Sequence, residues 1–345
     1  MRAPVLPVTG APVICVHGAG SVGCLIGGLL SGVADVVLIG RPRIGAEIAA
    51  HGLHLTSWRG DDLRLGPDEV SYRTDATAAL RADLVLVTVK SAATEEVGRE
   101  LAAVLQPAAL VISFQNGLRN AGILRRLLPR QRVLAGMVPF NVVHRGEGAF
   151  HRASEGELFV AEDAGLAPFL GLFAAAGLPL RRRQDMPQVQ WAKLLLNLNN
   201  PINALSDLPL KDELAQRDYR HCLALLQREA LRAFDAAGIR PARLTPLPAH
   251  WIPPLLDAPD GLFRLLASRM LAIDPLARSS TWEDLQAGRR TEIDEINGEV
   301  VRLAQSQGLT APANARLIAL IHAAESGAAR RWSGPELLAE LRQAA

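Results

Sequence analysis

The sequence is poor in cysteine, and its few cysteines are not arranged as a binding motif. Only Cys15, Cys24 and Cys222 occur in 345 residues, an odd number with no CxxC pair. This pattern argues against a disulfide framework and against a zinc site, and it fits a reducing compartment. We therefore expect a cytoplasmic protein that binds no metal.

The sequence also lacks a strong excess of charge of one sign and any long apolar run. The formal net charge of +2 gives no strong field toward nucleic acid or an acidic membrane. No apolar run is long enough to cross a bilayer, and the opening MRAPVLPVTG lacks the apolar core of a signal peptide. We expect no nucleic-acid or membrane partner, and we expect residues 1–11 to be a disordered lead-in.

What the chain does have is an α/β pattern from residue 12 to about residue 184. Short β-branched runs such as PVICVHG, ADVVLIG, ADLVLVTVK and ALVISFQNG alternate there with helical patterns. Strands that are apolar on both faces belong to a parallel sheet covered by helices. This part therefore predicts a Rossmann-like, doubly wound parallel sheet over residues 12–184.

The second part, residues 185–345, is predicted to be an all-α domain. Strand signals fade after residue 184, and helical periodicity takes their place. The Pro- and Leu-rich stretch 242–259 predicts an irregular connection. Helices are expected over 188–205, 213–237, 281–287, 292–307 and 312–325, and near 260–272.

A glycine-rich turn lies between the first predicted strand and the first predicted helix. Its spacing, Gly18-x-Gly20-x-x-Gly23, is that of a dinucleotide-binding loop, in which glycines allow a tight turn and close approach of a pyrophosphate. The helix N-terminus then offers N–H groups to the phosphates. A plain glycine-rich turn is the alternative. The expected cofactor-binding residues are Gly18, Ala19, Gly20, Ser21, Val22 and Gly23.

The end of the second strand bears on the choice between NAD and NADP. NAD sites usually place an acid there for the ribose 2′-hydroxyl, whereas an Arg accommodates a 2′-phosphate. This strand ends VVLIGRPR, so Arg41 and Arg43 follow it, and no acid occurs before Glu47. A guanidinium fork suits a phosphate, so the sequence favours NADPH with Arg41 as a ligand. The alternative is that Arg41 and Arg43 are solvated loop residues that bind no cofactor.

Polar residues also follow two later strands of the predicted sheet. Lys90 ends LVLVTVK, and Gln115, Asn116 and Gly117 end LVISFQNG. Because ligands of open α/β sheets bind outside the carboxyl ends of the strands, Lys90 and Asn116 are candidates for ligand contact. A solvated edge lysine and a simple Asn-Gly turn are the alternatives.

The segment WAKLLLNLNNPINAL, residues 191–205, places amides inside an apolar helix. Lys193, Asn197 and Asn200 are spaced i, i+4, i+7, so they are expected to share one face. Asparagine is a poor helix former and Pro201 removes an N–H, a combination that often marks a functional site. In a partly apolar cleft, Lys193 would have a lowered pKa and could donate a proton at neutral pH. An irregular helix with internally satisfied polar groups is the alternative.

The segment SSTWEDLQAGRRTEIDEINGEV, residues 279–300, contains two helix-start signals and an acidic face. Ser280 and Glu283 fit a capping box, and Thr291 can cap the next helix. A solvated surface is the simplest interpretation of the acidic face, and sequence logic alone does not identify a catalytic carboxylate in it. The acidic face consists of three residues at i, i+3, i+7 spacing, namely Glu292, Glu295 and Glu299.

Together these motifs resemble the ketopantoate reductase (2-dehydropantoate 2-reductase) family. The resemblance covers about residues 12–325 and rests on GAGSVG, VTVK, QNG, the 191–205 helix and TEIDEINGE, which occur in the family's order. It implies NADPH-dependent reduction of the 2-oxoacid 2-dehydropantoate to (R)-pantoate, a step toward pantothenate and coenzyme A.

The resemblance also implies roles for individual residues. Lys193 resembles the general acid that protonates the ketone oxygen, and Glu292 resembles the carboxylate that positions Lys193 and the substrate. Cofactor contacts are implied for Lys90 and Asn116. Substrate contacts are implied for Asn197, Asn200, Ser280 and Lys90.

One departure from the family pattern leaves the substrate open. Family members commonly place an Asn-Pro pair eight and nine residues after the helix lysine, whereas Asn200-Pro201 follows Lys193 by seven and eight. One residue turns a helical side chain by about 100°, so either a kink presents Asn200, or Asn199 or Asn203 replaces it. A reductase of another 2-oxo or 3-oxo acid and a non-catalytic NADPH-binding sensor remain alternatives. Monomer and homodimer are both compatible with the sequence.

Overall fold

The computed structural model describes residues 12–266, 274, 277–328 and 331–345. The chain divides into two compact units, unit 1 up to Met186 and unit 2 from Pro187 onward. The predicted disordered lead-in, residues 1–11, lies outside the described residues, as does part of the helix predicted near 260–272.

Unit 1 carries the predicted α/β fold. Its helices are α1 (Ser21–Leu30), α2 (Pro42–His51), α3 (Thr94–Val104), α4 (Asn120–Leu127) and α5 (Ala167–Ala175). Its strands are β1 (Val13–His17), β2 (Asp35–Ile39), β3 (Leu53–Ser57), β4 (Asp62–Leu65), β5 (Ser71–Arg73), β6 (Leu84–Val87), β7 (Leu110–Ser113), β8 (Arg132–Met137), β9 (Val142–Gly146), β10 (Ala149–Arg152), β11 (Leu158–Ala161) and β12 (Leu180–Arg183).

Eight of these strands form one sheet in the order β12-β11-β8-β7-β6-β1-β2-β5. All neighbouring pairs are parallel except β8 and β11. Along β1, Ile14 and Val16 pack into one apolar cluster while Cys15 packs into another. The two clusters cover the two faces of the sheet, which explains why its central strands β1, β6 and β7 are continuous apolar runs. The predicted doubly wound sheet is confirmed.

A second, four-stranded sheet in the order β4-β3-β10-β9 was not expected from the sequence. It is mixed, because β3 and β10 pair in parallel while β3–β4 and β9–β10 pair antiparallel. In β3, the buried residues Leu53 and Leu55 alternate with half-buried polar neighbours. Such short alternating strands give a much weaker signal than the buried strands of the main sheet.

Unit 2 is built of helices, as predicted. They are α6 (Met186–Asn197), which begins at the boundary, α7 (Asn199–Ser206), α8 (Leu210–Ala215), α9 (Arg217–Ala236), α10 (Ile252–Asp257), α11 (Asp260–Leu266), α12 (Ser280–Gln286), α13 (Ile293–Ser306), α14 (Pro312–Glu325) and α15 (Gly334–Ala344). In the part of the chain that the structure describes, none of the helices has the length and apolar character to cross a bilayer.

Three expectations for the secondary structure of unit 2 were wrong. The helix predicted over 188–205 divides at Leu198, and the helix predicted over 213–237 divides at Gln216. The connection predicted over 242–259 contains the short helix α10. The fully buried Arg220 explains part of this arrangement, because it donates to the carbonyls of Leu214 and Leu256 and so ties the ends of α8 and α10 to α9.

Candidate active site

The glycine turn joins β1 to α1 and is shaped by close backbone contacts. Gly18 has a φ of +114°, and a Cβ placed on it would lie 2.5 Å from the Val89 amide nitrogen. A Cβ on Gly23 would lie 2.3 Å from the Gly18 carbonyl oxygen. Neither position therefore tolerates a side chain without a shift of backbone. The Thr88 hydroxyl donates to the Gly18 carbonyl at 2.8 Å and holds the turn against the end of β6.

The same turn leaves room for a ligand. Among the residues that the structure describes, a Cβ on Gly20 would meet only the Gly18 carbonyl oxygen, at 4.0 Å. The first helical bond of α1 runs from the Cys24 N–H to the Gly20 carbonyl at 2.8 Å. The N–H groups of Ser21 and Val22 therefore precede the helical ladder at the positive end of the helix dipole, where a pyrophosphate is favourably bound. The residues of this turn fit a dinucleotide.

Two arginines lie where neighbouring strands end, next to the glycine turn. Arg41 directly precedes α2 and is exposed. Arg73 ends β5, which pairs with β2 so that Ile39 faces Arg73, and the Gly40 N–H donates to the Arg73 carbonyl at 3.1 Å. The two strand ends are thus adjacent and each carries a guanidinium. The sequence analysis missed Arg73, because a three-residue polar strand gives almost no pattern.

Arg43, the other arginine considered for the 2′-phosphate, is engaged within the protein. Its guanidinium donates to Glu47 at 2.6 Å, and the second oxygen of Glu47 bonds to His144 at 2.7 Å. His17, which immediately precedes the turn, is buried and pairs through Nε2 with Glu100 at 3.2 Å. Burial lowers the pKa of His17, although Glu100 acts in the opposite direction.

A buried polar network connects the loops that follow β6 and β7. The Gln115 amide donates to the Val89 carbonyl at 3.1 Å and to the Thr94 hydroxyl at 2.7 Å. Thr94 donates to the Asn120 side-chain carbonyl at 2.9 Å, and the Asn120 amide donates to the Asn116 carbonyl at 2.6 Å. Every link is charge-neutral and largely removed from water, so the network fixes the two loops relative to each other.

The carbonyls of Val89 and Asn116 form the two ends of this network, next to the two candidate ligand residues Lys90 and Asn116. Lys90 follows Val89 directly and is exposed, and Asn116 is half-buried with Gly117 at a φ of +83° behind it. The structure thus brings together the two strand-end residues that the sequence analysis singled out. Thr94 and Asn120 were missed, because hydroxyl and amide residues near helix starts are common in chains of any function.

Lys193 lies on α6 in unit 2 among apolar neighbours. Leu194 and Leu195 beside it are buried, and Lys193 itself is half-buried. Burial lowers the pKa of Lys193 to about 8, because the charged ammonium loses hydration. The predicted direction of the shift is confirmed, and a lysine of this kind is still mostly protonated at neutral pH.

The expectation that Lys193, Asn197 and Asn200 share one face of a single helix was wrong. Helix α6 ends at Asn197, Leu198 intervenes, and Asn200 belongs to α7. Successive asparagines followed by Pro201, which has no N–H, explain the interruption. Asn197 is buried and Asn200 is half-buried.

Asn199 and Asn203, considered as replacements for Asn200, are committed to a different group. Both side chains donate to Oε2 of the fully buried Glu213, at 3.2 and 2.9 Å. Burial raises the pKa of Glu213 to about 8. Among Asn199, Asn200 and Asn203, the structure therefore favours Asn200 as a candidate substrate amide, beside Asn197.

The start of α12 lies one residue earlier than the capping box predicted. Ser279, not Ser280, is the N-cap, and its hydroxyl accepts the Trp282 N–H at 3.2 Å. Ser280 is the first residue of the helix and is half-buried. The predicted capping box of Ser280 and Glu283 was wrong. The helix begins at Ser280, so Ser279 occupies the N-cap position, from which a hydroxyl accepts the N–H three residues later, that of Trp282.

The acidic face of α13 is less exposed than a solvated surface. Glu292 directly precedes the helix and is 7% exposed, as is Glu299, which pairs with Arg302 at 2.8 Å. Burial raises the pKa of Glu295, and the negative charge of Glu292 acts in the same direction. Thr291 accepts the Ile293 N–H at 3.3 Å, although the cap position itself is taken by Glu292.

Comparison with known proteins gives one family for both units. A family model described as "Ketopantoate reductase PanE/ApbA" matches residues 14–165, and its C-terminal counterpart matches residues 185–325. A 2-dehydropantoate 2-reductase of Halobacterium salinarum is 28% identical over 327 residues, covering 90% of this chain and 98% of the relative.

Solved structures agree with this match. A PanE/ApbA family ketopantoate reductase from Ralstonia eutropha JMP134 superimposes with a TM-score of 0.77 at 32% identity, covering 91% of this chain and 98% of that chain. A D-mandelate dehydrogenase bound to NADH and anilino(oxo)acetate has a TM-score of 0.74 at 19% identity, with coverage of 91% and 98%. The latter likeness shows a shared fold.

Proposed function

The chain belongs to the ketopantoate reductase family, and from this premise we propose that it reduces 2-dehydropantoate to (R)-pantoate with NADPH. It is an oxidoreductase of that family, and the family as a whole uses NAD(P)H. The proposal extends to the pathway, in which the product leads toward pantothenate and coenzyme A.

The observation that carries the proposal is the half-buried Lys193 with its lowered pKa. Ketone reduction places negative charge on the carbonyl oxygen, and the nicotinamide supplies the hydride when it is bound. A protonated lysine stabilises that developing charge and donates the proton that completes the hydroxyl. With a pKa of about 8, Lys193 is charged at neutral pH and yet gives up its proton more readily than an exposed lysine.

Glu292 is proposed as the carboxylate that positions Lys193 and the substrate. It is 7% exposed, and a carboxylate at such a position requires cationic or hydrogen-bonding partners to offset lost hydration. Lys193 lies in the same unit and is the partner that the chemistry calls for. Substrate contacts are proposed for Asn197, Asn200 and Ser280, whose amide and hydroxyl groups can bond a carboxylate or hydroxyl.

The preference for NADPH over NADH is proposed on the arginines of unit 1. Arg41 and Arg73 offer two guanidinium groups at adjoining strand ends, where an adenosine ribose is bound in folds of this kind. A guanidinium binds a phosphate in a bidentate manner and gains nothing comparable from a hydroxyl. Lys90 and Asn116 are proposed as further cofactor contacts at the ends of β6 and β7, and Lys90 also as a substrate contact.

We further propose that the enzyme acts in the cytoplasm. All three cysteines are buried and unpaired by disulfides, and burial raises the thiol pKa of Cys15 and of Cys222 to about 12. Thiols of this kind are inert core residues, which suits a reducing compartment.

The test is steady-state oxidation of NADPH and of NADH with a panel of 2-oxo and 3-oxo acids. We expect 2-dehydropantoate to give the highest kcat/KM and NADPH to be preferred by at least about tenfold, the worth of one charge-assisted bond. A different oxoacid ranking far above 2-dehydropantoate would make this a reductase of that acid. Cofactor binding without any turnover would make the protein a sensor.

A further inference from the structure

A buried polar network in unit 2 joins α7, α8 and the start of α12. It consists of Glu213, Asn199, Asn203 and Ser279 and is called here the Glu213 network. Glu213 and Asn203 are fully buried, and Ser279 is 1% exposed. Such groups gain little net stability from their mutual bonds and cost much if one bond is lost, so they call for an explanation beyond simple packing.

Asn203 is the centre of the network. Its amide donates to Glu213 Oε2 at 2.9 Å and to the Leu208 carbonyl at 2.9 Å, at the end of α7. Its side-chain carbonyl accepts the Ser279 N–H at 2.8 Å. One side chain therefore fixes α7 to both α8 and the residue that caps α12.

Ser279 connects this centre to two candidate substrate ligands. Its hydroxyl donates to the Asn200 carbonyl at 2.8 Å and also accepts the Trp282 N–H as the cap of α12. Ser280, the first residue of α12, follows directly in the chain. The same hydroxyl thus holds the backbone of Asn200 and the start of the helix that carries Ser280.

The protonation of Glu213 suits a site for an anionic substrate. Its neighbours from α7 are the neutral Asn199 and Asn203, and those from α9 include Tyr219 and Cys222, which carry no charge at neutral pH. Burial raises the pKa of Glu213 to about 8, so the carboxyl is mostly neutral at pH 7. The network therefore orders this region without placing a buried negative charge near a bound carboxylate.

We propose that the Glu213 network is a positioning device for the substrate, which sets the distance and orientation between Asn200 and Ser280. The inference rests on the proposed function, in which both residues bind the oxoacid. Ser279 is accordingly a positioning residue, because it acts through Asn200 and Ser280 rather than on the substrate itself.

Ser279→Ala and Ser279→Gly test the proposal, with Ser333→Ala as the matched control. Ser333 also caps a helix, α15, through its hydroxyl, and the bonds described for that hydroxyl are with Glu336 of the same helix. Glycine is nearly as good a cap as serine, so Ser279→Gly removes the bond to Asn200 with little loss of helix stability. We expect both Ser279 variants to raise KM for 2-dehydropantoate about tenfold, the equivalent of one well-formed hydrogen bond.

Three further readouts separate positioning from a merely structural role. The dissociation constant for NADPH, measured by fluorescence titration, stays within about twofold of wild type, because the glycine turn belongs to unit 1. Ser333→Ala lowers Tm as Ser279→Ala does but leaves KM unchanged. Ser279→Thr, which keeps the hydroxyl, restores a KM close to that of wild type.

The proposal is overturned if folded Ser279→Gly has a KM within about twofold of wild type, or if Ser333→Ala raises KM equally. Failure of the proposed function has a different signature, since wild-type protein would then not turn over 2-dehydropantoate. In that case the same variants are compared on the oxoacid that the wild type does reduce. Absence of turnover on every oxoacid contradicts both the function and the network's role.

Discussion

In unit 1 the candidate phosphate site is made of backbone, whereas the residues proposed in unit 2 act through side chains on α6, α7 and α12 and on the residue before α13. The glycine turn spans six consecutive residues, and its shape follows from a positive φ at Gly18 and from close contacts at Gly23. Lys193, Asn200, Ser280 and Glu292 have no such local code. A backbone site can be recognised from spacing, but a side-chain site depends on how separate helices are held together.

The Lys193→Ala variant in unit 2 should separate the chemical step from cofactor binding. Loss of a general acid typically costs a factor of about 10² to 10⁴ in rate, so kcat should fall by about a thousandfold. The dissociation constant for NADPH should stay within about twofold, because the turn lies in the other unit. Wild-type turnover by this variant would remove Lys193 from the role.

A substitution in the glycine turn of unit 1 should instead affect cofactor binding and stability. Gly18→Ala introduces a Cβ 2.5 Å from the Val89 nitrogen at a φ of +114°, and a side chain at such a φ costs about 1–3 kcal/mol of stability. We expect lower stability and a weakening of NADPH binding by about a hundredfold. Gly20→Ala is the control, because the nearest described atom to a Cβ there is the Gly18 carbonyl oxygen at 4.0 Å. This variant should weaken binding without lowering Tm. Equal loss of Tm in both variants would argue against distinct roles for the two glycines.

A smaller effect is expected at the arginines of unit 1. Arg41→Ala and Arg73→Ala should each weaken NADPH binding by about tenfold, the worth of a charge-assisted bond, and leave NADH binding unchanged. Arg43→Ala is the matched control, because Arg43 already pairs with Glu47 at 2.6 Å. Titration of each variant with 2′,5′-ADP and 5′-ADP isolates the 2′-phosphate. An Arg73→Ala variant that binds both ligands as wild type does would assign the phosphate to Arg41 alone.

The same contrast explains how much of the fold could be predicted. The central strands of the main sheet could be predicted because both of their faces are buried, as in β1, where Ile14 and Cys15 enter different apolar clusters. The edge strand β5 could not, because it is short and polar. The four-stranded sheet was not, because β3 and β4 are short and polar on alternate positions. The helical character of unit 2 was readable, but its interruptions at Leu198 and Gln216 were not.

Candidate site residues could be predicted where the sequence departs from local helix preferences. They could not be predicted where a contact between distant residues determines which side chain is available. The asparagines after Lys193 stood out in the sequence as costly helix residues. The sequence did not indicate which of these asparagines is engaged within the protein, because the partner of Asn199 and Asn203 is Glu213, ten or more residues later in the chain. Likewise, no sequence rule distinguishes Ser279 from Ser280 as the cap, although the hydroxyl of Ser279 bonds to the Asn200 carbonyl.

The pH dependence of kcat/KM for 2-dehydropantoate reduction tests most directly the central claim, that Lys193 donates the proton. The protonated form must be present for donation, so the rate should be constant near pH 7 and fall about tenfold per pH unit above the lysine pKa of about 8. The Glu213→Gln variant removes a second group whose pKa lies near 8, and it should retain the fall. A profile that stays flat to about pH 9.5, or a fall that disappears in Glu213→Gln, would contradict the assignment of Lys193 as the proton donor.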